Sequence, residues 1–268
     1  MVVYIYEHHR YSLIRACKLV NLSRSMYYYE HRKDDSEVIE KLASLASAKP
    51  MEGQDKLYAR IRNEGICWNR KRVARVYKLM NLHKRKRKRK RVPARIKMPL
   101  LIPNVPNQTW SMDFMHDSLI NGRRFRVVNI IDDYNRELMK TEPYFSISAD
   151  RLVQIIDRTI LERGKPKTIR VDNGPEFISM RLHEWSLEKG IQLQFIQPGR
   201  PMQNGLIERF NKSFRQDVLD ANLFENIMQV RVLSDEFAHD YNYHRPHESL
   251  GNMSPVNYKL KHARSEVF

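Results

Sequence analysis

Cysteine is almost absent from this chain. Its 268 residues include only Cys17 and Cys67, 50 positions apart. Neither has a second cysteine nearby, so no zinc pattern can be assembled, and both are expected to be small buried residues. Long apolar runs are missing too. None approaches the roughly 18 residues that a membrane-spanning helix needs. The opening Met1-Val-Val-Tyr-Ile-Tyr-Glu-His-His9 lacks the charged-then-apolar layout of a secretion signal, so a cytosolic protein with no membrane partner is expected. No internal repeat is visible. Acids are scarce relative to bases, 31 Asp and Glu against 48 Lys and Arg, for a net charge of +17. An excess of this size favours a polyanionic partner over the plainer alternative of a merely soluble basic protein.

What is present is unevenly spread. Lys84, Arg85, Lys86, Arg87, Lys88, Arg89, Lys90 and Arg91 are consecutive, and with Arg95 and Lys97 they supply +10 of the +17. Like charges repel, and Pro99, Pro103 and Pro106 stop helix and strand alike, so 84–106 is expected to be a basic linker that orders, if at all, on a phosphate backbone. Before it, 1–83 reads as helical. Ala16 and Val20 lie four apart, and Ser23 can cap a helix through Tyr27, Tyr28 and Tyr29. Leu57 and Ile61 repeat that spacing, Gly65 breaks the helix, and Asn69 can cap the next. That next helix carries Val73, Val76, Tyr77 and Met80 on one face. Its other face carries Arg70, Lys71, Arg72, Arg75 and Lys78, with no acid between 69 and 81. These are two helix-turn-helix silhouettes. Arg70, Lys71, Arg72 and Arg75 are candidate DNA contacts, with a solvated face as the bland alternative.

From 107 to 258 the pattern becomes α/β, leaving 259–268 as a tail. Strands are expected at 109–116, 124–132 and 137–144, joined by turns at Asn121-Gly122 and Asp133-Tyr134-Asn135 into an antiparallel meander. A helix at 149–163, a strand at 168–172, a helix at 176–189 and a strand at 191–196 follow, then helices near 205–220 and 227–243. This predicts a mixed five-stranded sheet with helices on both faces.

Three acids stand out in that region. Asp113 lies inside a strand, Asp172 ends one before Asn173-Gly174-Pro175, and Glu208 heads an amphipathic helix. They are separated by 58 and 35 intervening residues. Carboxylates on two strands and a helix suit magnesium, which takes few protein ligands and fills the rest with water and substrate phosphate. Two such ions serve phosphodiester cleavage by activating the nucleophile and stabilising the leaving oxygen. Glu208 with Lys212 also reads as an ordinary surface pair. Asp117, Asp132 and Asp133 read as turn residues, and Glu176 as a helix-opening acid at the edge of the site. Lys212 and Arg215 share the Glu208 side of the helix with Asn211 and are candidate backbone contacts. Arg200, Gln203 and Asn204, in the loop before the helix, are candidate phosphate or base contacts.

Together these segments resemble the integrase-core transposases of bacterial insertion sequences, and more narrowly the second-frame (OrfB) product of the insertion-sequence-three family. The resemblance rests on Asn107-Gln-Thr-Trp-Ser-Met-Asp-Phe114, Gly122-Arg-Arg-Phe-Arg126, Ile131-Asp-Asp133, Val171-Asp-Asn-Gly-Pro-Glu-Phe177, Phe195-Ile-Gln-Pro-Gly199, Gln203-Asn204, Ile207-Glu-Arg-Phe-Asn211 and Tyr241-Asn-Tyr-His-Arg-Pro-His-Glu-Ser-Leu250. Residues 12–83 also resemble the helix-turn-helix segment upstream of that core. The chain departs from the usual family sequence at Gln54-Asp55-Lys56 and at Gly205-Leu206. The resemblance implies a ribonuclease-H-like fold and a DDE triad at Asp113, Asp172 and Glu208 holding two Mg2+ or Mn2+ ions. It also implies cutting and joining of double-stranded DNA, both element ends and target, by a homo-oligomer in the bacterial nucleoid. The upstream OrfA product, separate or fused, is an expected partner. A plain nuclease and a DNA-binding regulator with an inert core are the competing readings.

Overall fold

The computed structural model describes residues 1–8, 11–28, 34–83, 103–174, 176–196 and 204–263. They separate into two compact units, Met1–Lys41 and Leu42–Phe268. Among the described residues no helix is long and apolar enough to cross a membrane.

The first unit holds three short helices, α1 (Val2–His8), α2 (Leu13–Leu19) and α3 (Arg24–Tyr27). Ser12 caps α2 by accepting from the Arg15 amide, and Ser23 caps α3 by accepting from Met26. Asn21 turns the chain between them at a φ of 55°, a conformation asparagine tolerates better than most residues. Val2, Ala16 and Cys17 form the small core, so Cys17 is buried as expected, whereas Cys67 in the second unit is exposed. The helix expected through Tyr27, Tyr28 and Tyr29 ends at Tyr27 with Tyr28 as its cap, and Tyr29 lies outside the described residues.

A fourth helix, α4 (Ser36–Ala48), crosses the boundary between the units. The second unit continues with α5 (Gln54–Asn63) and α6 (Arg70–Leu79), joined through Gly65 at a φ of 85° and the Asn69 cap. Both the glycine break and the cap stand where the sequence put them. The sheet comprises β1 (Thr109–Ser118), β2 (Arg124–Asp132), β3 (Leu138–Tyr144), β4 (Thr168–Val171) and β5 (Gln192–Phe195) in the order β3-β2-β1-β4-β5. The first three are antiparallel neighbours, and β4 and β5 join parallel to β1, so the expected mixed sheet is present.

Strand periodicity sorts the core into two layers. Trp110, Met112, Val128, Ile130, Ile169 and Val171 face α7 (Ala149–Arg163) and α8 (Met180–Lys189). Met115, Val127 and Ile131 face α9 (Gly205–Phe214) and α10 (Ile227–Tyr243). A last helix, α11 (Pro255–Ala263), was not anticipated and extends into the stretch expected to be tail.

Two expected helices have different bounds. The helix expected from 176 begins at Met180, because Ser179 caps it there and the amides of Phe177 and Ile178 turn back to the Gly174 carbonyl. The helix expected over 205–220 is α-helical to Phe214 and then π-helical over Arg215–Leu219.

Buried charges fasten α5 to α10. Arg60 binds Glu52 through Nε and Nη2 at 2.7 and 2.8 Å, and Asp240 through both Nη atoms at 3.0 and 2.9 Å. Arg245 lies 3.8 Å from Glu52 and pairs closely with Asp217 of the π-helical turn. At the far end of β1, Asn107 accepts from the Trp110 indole and donates to the Arg163 carbonyl, both at 3.0 Å. Gly164 follows at a φ of 92°, and a Cβ there would lie 2.8 Å from the Asn107 amide nitrogen. Gly164→Ala is therefore expected to cost about 2 kcal/mol, from the backbone strain and the loss of the Asn107 hydrogen bonds. Thermal unfolding should register it as a drop of roughly 5 °C in Tm. An unchanged Tm would show that the Asn107 latch does not constrain the loop.

Candidate active site

The register of the sheet assembles the site. In the β1–β4 pairing Thr109 stands opposite Thr168, Trp110 opposite Ile169 and Ser111 opposite Arg170. Two residues further on are Asp113, inside β1, and Asp172, the first residue past β4, both beyond the last β1–β4 pair. On the other side of β1, Asp113 pairs with Asn129, and Asn129 pairs in turn with Thr141. Residues directly opposite in neighbouring strands present side chains to the same face. One polar row, Thr141, Asn129, Asp113 and Asp172, thus crosses this face, beside the Ser111 and Arg170 pair that binds Asp133.

Helix α9 lies over this face, with Ile207, Phe210 and Phe214 buried against the sheet. Asn211, one turn beyond Glu208, reaches the row. Its amide nitrogen donates to Asp113 Oδ2 at 2.7 Å, and its oxygen accepts from Asn129 Nδ2 at 2.8 Å. The Asn129 oxygen in turn accepts from the Thr141 hydroxyl at 2.8 Å. Asn129 and Thr141 are buried, so this relay is shielded from water. Asn211 had appeared in the sequence only as a neighbour of Glu208, and Asn129 was overlooked. Its signal was a lone amide inside the run Val127-Val128-Asn129-Ile130-Ile131.

The charges of Asp172 and Glu208 both reach Asp113 and repel its ionised form. Asp113 is pushed up to about 6, first by burial and then by the charges of Asp172 and Glu208. Hydrogen bonds from its neighbour's amide, Phe114 N, and from Asn211 pull the other way. Asp172 Oδ1 accepts from Gly174 N at 2.9 Å, and a Cβ on Gly174 would stand only 3.0 Å from that oxygen. A glycine therefore lets the turn fold close over the carboxylate. Glu208 is exposed on α9. Among the described residues no three His, Cys, Asp or Glu side chains converge as a ready metal cage. The crowded negative charge around Asp113 nevertheless suits a divalent cation that draws most of its ligands from water and phosphate, so the donor set fits magnesium or manganese.

The other acids are committed elsewhere. Asp132 accepts from the amides of Asn107 and Tyr134, and Asp133 binds Arg170 and Ser111. Glu176 is held by Arg126, whose guanidinium lies 4.4 Å above the Phe114 ring. Phe114 stacks on Phe177 at 4.8 Å, on the opposite face from the polar row.

The candidate DNA contacts differ among themselves. On α6, Arg70 and Lys71 are exposed, Arg70 pairing with Asp55 at 2.8 Å, while Arg75 is exposed and Arg72 half-buried. Lys212 is exposed on α9. Arg215 ties the π-helical turn to β1, donating to the His116 carbonyl at 2.8 Å and to Asp117 at 3.2 Å. Asn204 is only 4% exposed, a placement unlike that of a surface contact. Lys84 to Arg91, Arg200 and Gln203 lie outside the described residues.

Comparison with known proteins points the same way. A family model described as integrase core domain matches residues 103–201, and a second of the same description matches 189–255. An uncharacterised protein of insertion element IS407 from Burkholderia multivorans is 36% identical over 250 residues, 92% of this chain and 90% of that protein. An uncharacterised protein of insertion element IS476 from Xanthomonas euvesicatoria is 34% identical over 267 residues, 97% of this chain and 77% of that protein. The transposase of insertion sequence element IS904 from Lactococcus lactis subsp. lactis is 26% identical over 216 residues, 74% of this chain and 83% of that protein.

Proposed function

Because this chain belongs to the insertion-sequence-three family of integrase-core transposases, with the ribonuclease-H-like fold and the role in DNA transposition that go with it, we propose that Asp113, Asp172 and Glu208 are its catalytic carboxylates. Integrase-core proteins of this kind use a divalent metal, act on DNA as polynucleotidyl transferases and oligomerise. The observation that carries the residue assignment is the polar row: Asp113 and Asp172 stand two residues beyond the last β1–β4 pair, beneath the helix that bears Glu208.

The finer reading is a two-ion reaction on double-stranded DNA, at the element ends and then at the target. Two Mg2+ or Mn2+ ions held by the three carboxylates would lower the pKa of the attacking hydroxyl and stabilise the departing oxygen. The chain's own residues prepare for this. Gly174 N orients Asp172, Asn211 orients Asp113, and the buried Asn129–Thr141 pair orients Asn211. Arg70, Lys71 and Arg75 of α6 and Lys212 of α9, all exposed, would hold phosphates. The OrfA product, separate or fused, is the proposed companion at the element ends.

The test is strand transfer by the purified chain. Duplexes carrying the inverted repeats that flank its gene should yield joined products with Mg2+, and chelation should abolish them. Wild-type protein that binds such ends and cuts without joining would return the assignment to a plain nuclease.

The relay makes a separate prediction. Asn211→Leu leaves Asn129 Nδ2 and Asp113 Oδ2 without their partner, so strand joining should fall by roughly 10–100-fold, as with other lost supports of metal ligands. Half-saturation should require more Mg2+, and calorimetric Mn2+ affinity should fall in parallel. Unchanged metal affinity in a folded Asn211→Leu protein would remove Asn211 from this role.

A further inference from the structure

Glu208 belongs to the carboxylate group, while the next residue of α9, turned about 100° around the helix axis, belongs to another. Arg209 is exposed, and its charge acts on Lys56, Arg136, Tyr241 and His247. Arg245 acts on Lys56, Tyr241 and His247 as well. The charges of four cations, from α5, the β2–β3 turn, α9 and the segment after α10, thus reach His247, and those of Arg136, Arg209 and Arg245 reach Tyr241, whose ring meets that of His247 edge to face at 4.9 Å.

Their partners are unevenly divided. Arg245 is taken by Asp217, with Glu52 3.8 Å away. Lys56, Arg136 and Arg209 make no ion pair within 4 Å of a described carboxylate, although Glu52 and Asp217 act on Lys56 and Asp133 acts on Arg136 from further away. Lys56 and Arg136 are nevertheless half-buried. Arg136 is held at a φ of 62°, an uncommon conformation for a residue with a Cβ. Such outliers persist where the surroundings impose them and cluster at functional sites. Beside them, His247 Nε2 is buried with no hydrogen-bond partner among the described residues. Burial, and then the neighbouring cations, keep the imidazole neutral, so this nitrogen can carry a proton to donate.

Converging unpaired cations repel one another, and a buried orphan donor costs stability. Both penalties are relieved by one oxyanion. We propose that Lys56, Arg136, Arg209 and His247 Nε2 form a phosphate-binding site, filled by a phosphodiester of the DNA whose reacting bond lies at the carboxylates. This rests on the transposase reading for its ligand and adds to it a contact shared by the α5 module and the catalytic helix. Lys56 lies in one of the segments where the chain departs from the usual family sequence.

The test compares the full chain with a Lys56→Gln/Arg136→Gln/Arg209→Gln variant. A control, Lys165→Gln/Arg181→Gln/Lys189→Gln, removes the same charge around α8. Affinity for a fluorescent 30-base-pair duplex is measured across a salt series. Neutralising one phosphate contributes roughly 0.9 to the slope of log affinity against log salt, so the site variant should lose about one unit of slope and the control none. Inorganic phosphate, against chloride at matched ionic strength, should raise the melting temperature of the wild type but not of the site variant. Without phosphate the site variant should melt no earlier than the wild type, because cationic crowding is relieved. Equal slopes for wild type and site variant, or equal losses in site variant and control, would overturn the proposal. Phosphate protection with an unchanged slope would reassign the site to a free anion and overturn the DNA contact. A wild type with no affinity for any duplex would strike at the transposase reading itself.

Discussion

Asp172→Asn is expected to reduce Mg2+-dependent strand joining by roughly a thousand-fold or more, while duplex affinity stays within a few-fold of wild type. Metal stabilisation of a phosphoryl transition state amounts to several kcal/mol, and about 4 kcal/mol corresponds to three orders of magnitude. Asparagine keeps the shape of the side chain and can still accept from Gly174 N, now 2.9 Å from Asp172 Oδ1, so the turn beyond β4 should hold. What it loses is the charge that acts on Asp113 and would bind a cation. Binding should survive because the positive surfaces on α6 and α9 are untouched. Single-turnover joining with pre-cut ends separates chemistry from assembly. Wild-type joining by Asp172→Asn would sink the carboxylate assignment.

Arg60→Met should destabilise the second unit by about 3–5 kcal/mol, the range for breaking a buried ion pair from one side. That corresponds to a fall of roughly 10 °C in Tm for a unit of this size. The side chains of Arg60 and Glu52 are 7% and 2% exposed, so the Glu52 carboxylate, left with Arg245 3.8 Å away and no hydrogen-bonded partner, cannot recover water in place. Burial alone would push the Glu52 and Asp240 carboxyls up, but Arg60 outweighs it and holds both below the usual range. Lowered carboxyl pKa values mean stability that is fully present above the unfolded range and lost as pH falls through the folded values. The gap between wild type and Arg60→Met should therefore be wide at pH 7 and close toward pH 3. Denaturant unfolding at a series of pH values measures it. A gap that does not depend on pH would show that Arg60 acts by packing alone.

The sheet was legible because its strands are short apolar runs, buried nearly throughout in β2 and β4, and its turns carry their own chemistry, as at Asn121-Gly122. The three acids were legible because each sits at an abrupt change of pattern, mid-strand, strand end or helix head. The start of α8 was misread because Glu176, Phe177 and Ile178 fit a helical period, and only the Ser179 cap moves it. The π-helical turn differs from an α-helix by one residue per turn, too little to register over Arg215–Leu219. The Arg60 and Asp240 pairing joins residues 180 positions apart, and no spacing rule reaches that far. Asn129 had a visible signal, an amide in a buried apolar strand, but its purpose depends on Asn211 arriving from another element.

The placement of Asp113 and Asp172 two residues beyond the last β1–β4 pair also makes this site intolerant of length changes in β1. Inserting or deleting one residue ahead of Asp113, without compensation, would carry Met112 or Phe114 into its place and turn the carboxylate to the α7 and α8 side, among the Trp110 and Ile130 packing. Strand faces alternate, so there is no intermediate setting. Substitutions around the row can grade its activity, whereas a frame of one residue switches it off. Lineages of this core should therefore accumulate length variation in the turns at 119–123 and 133–137 and keep the count from Thr109 to Asp113 fixed.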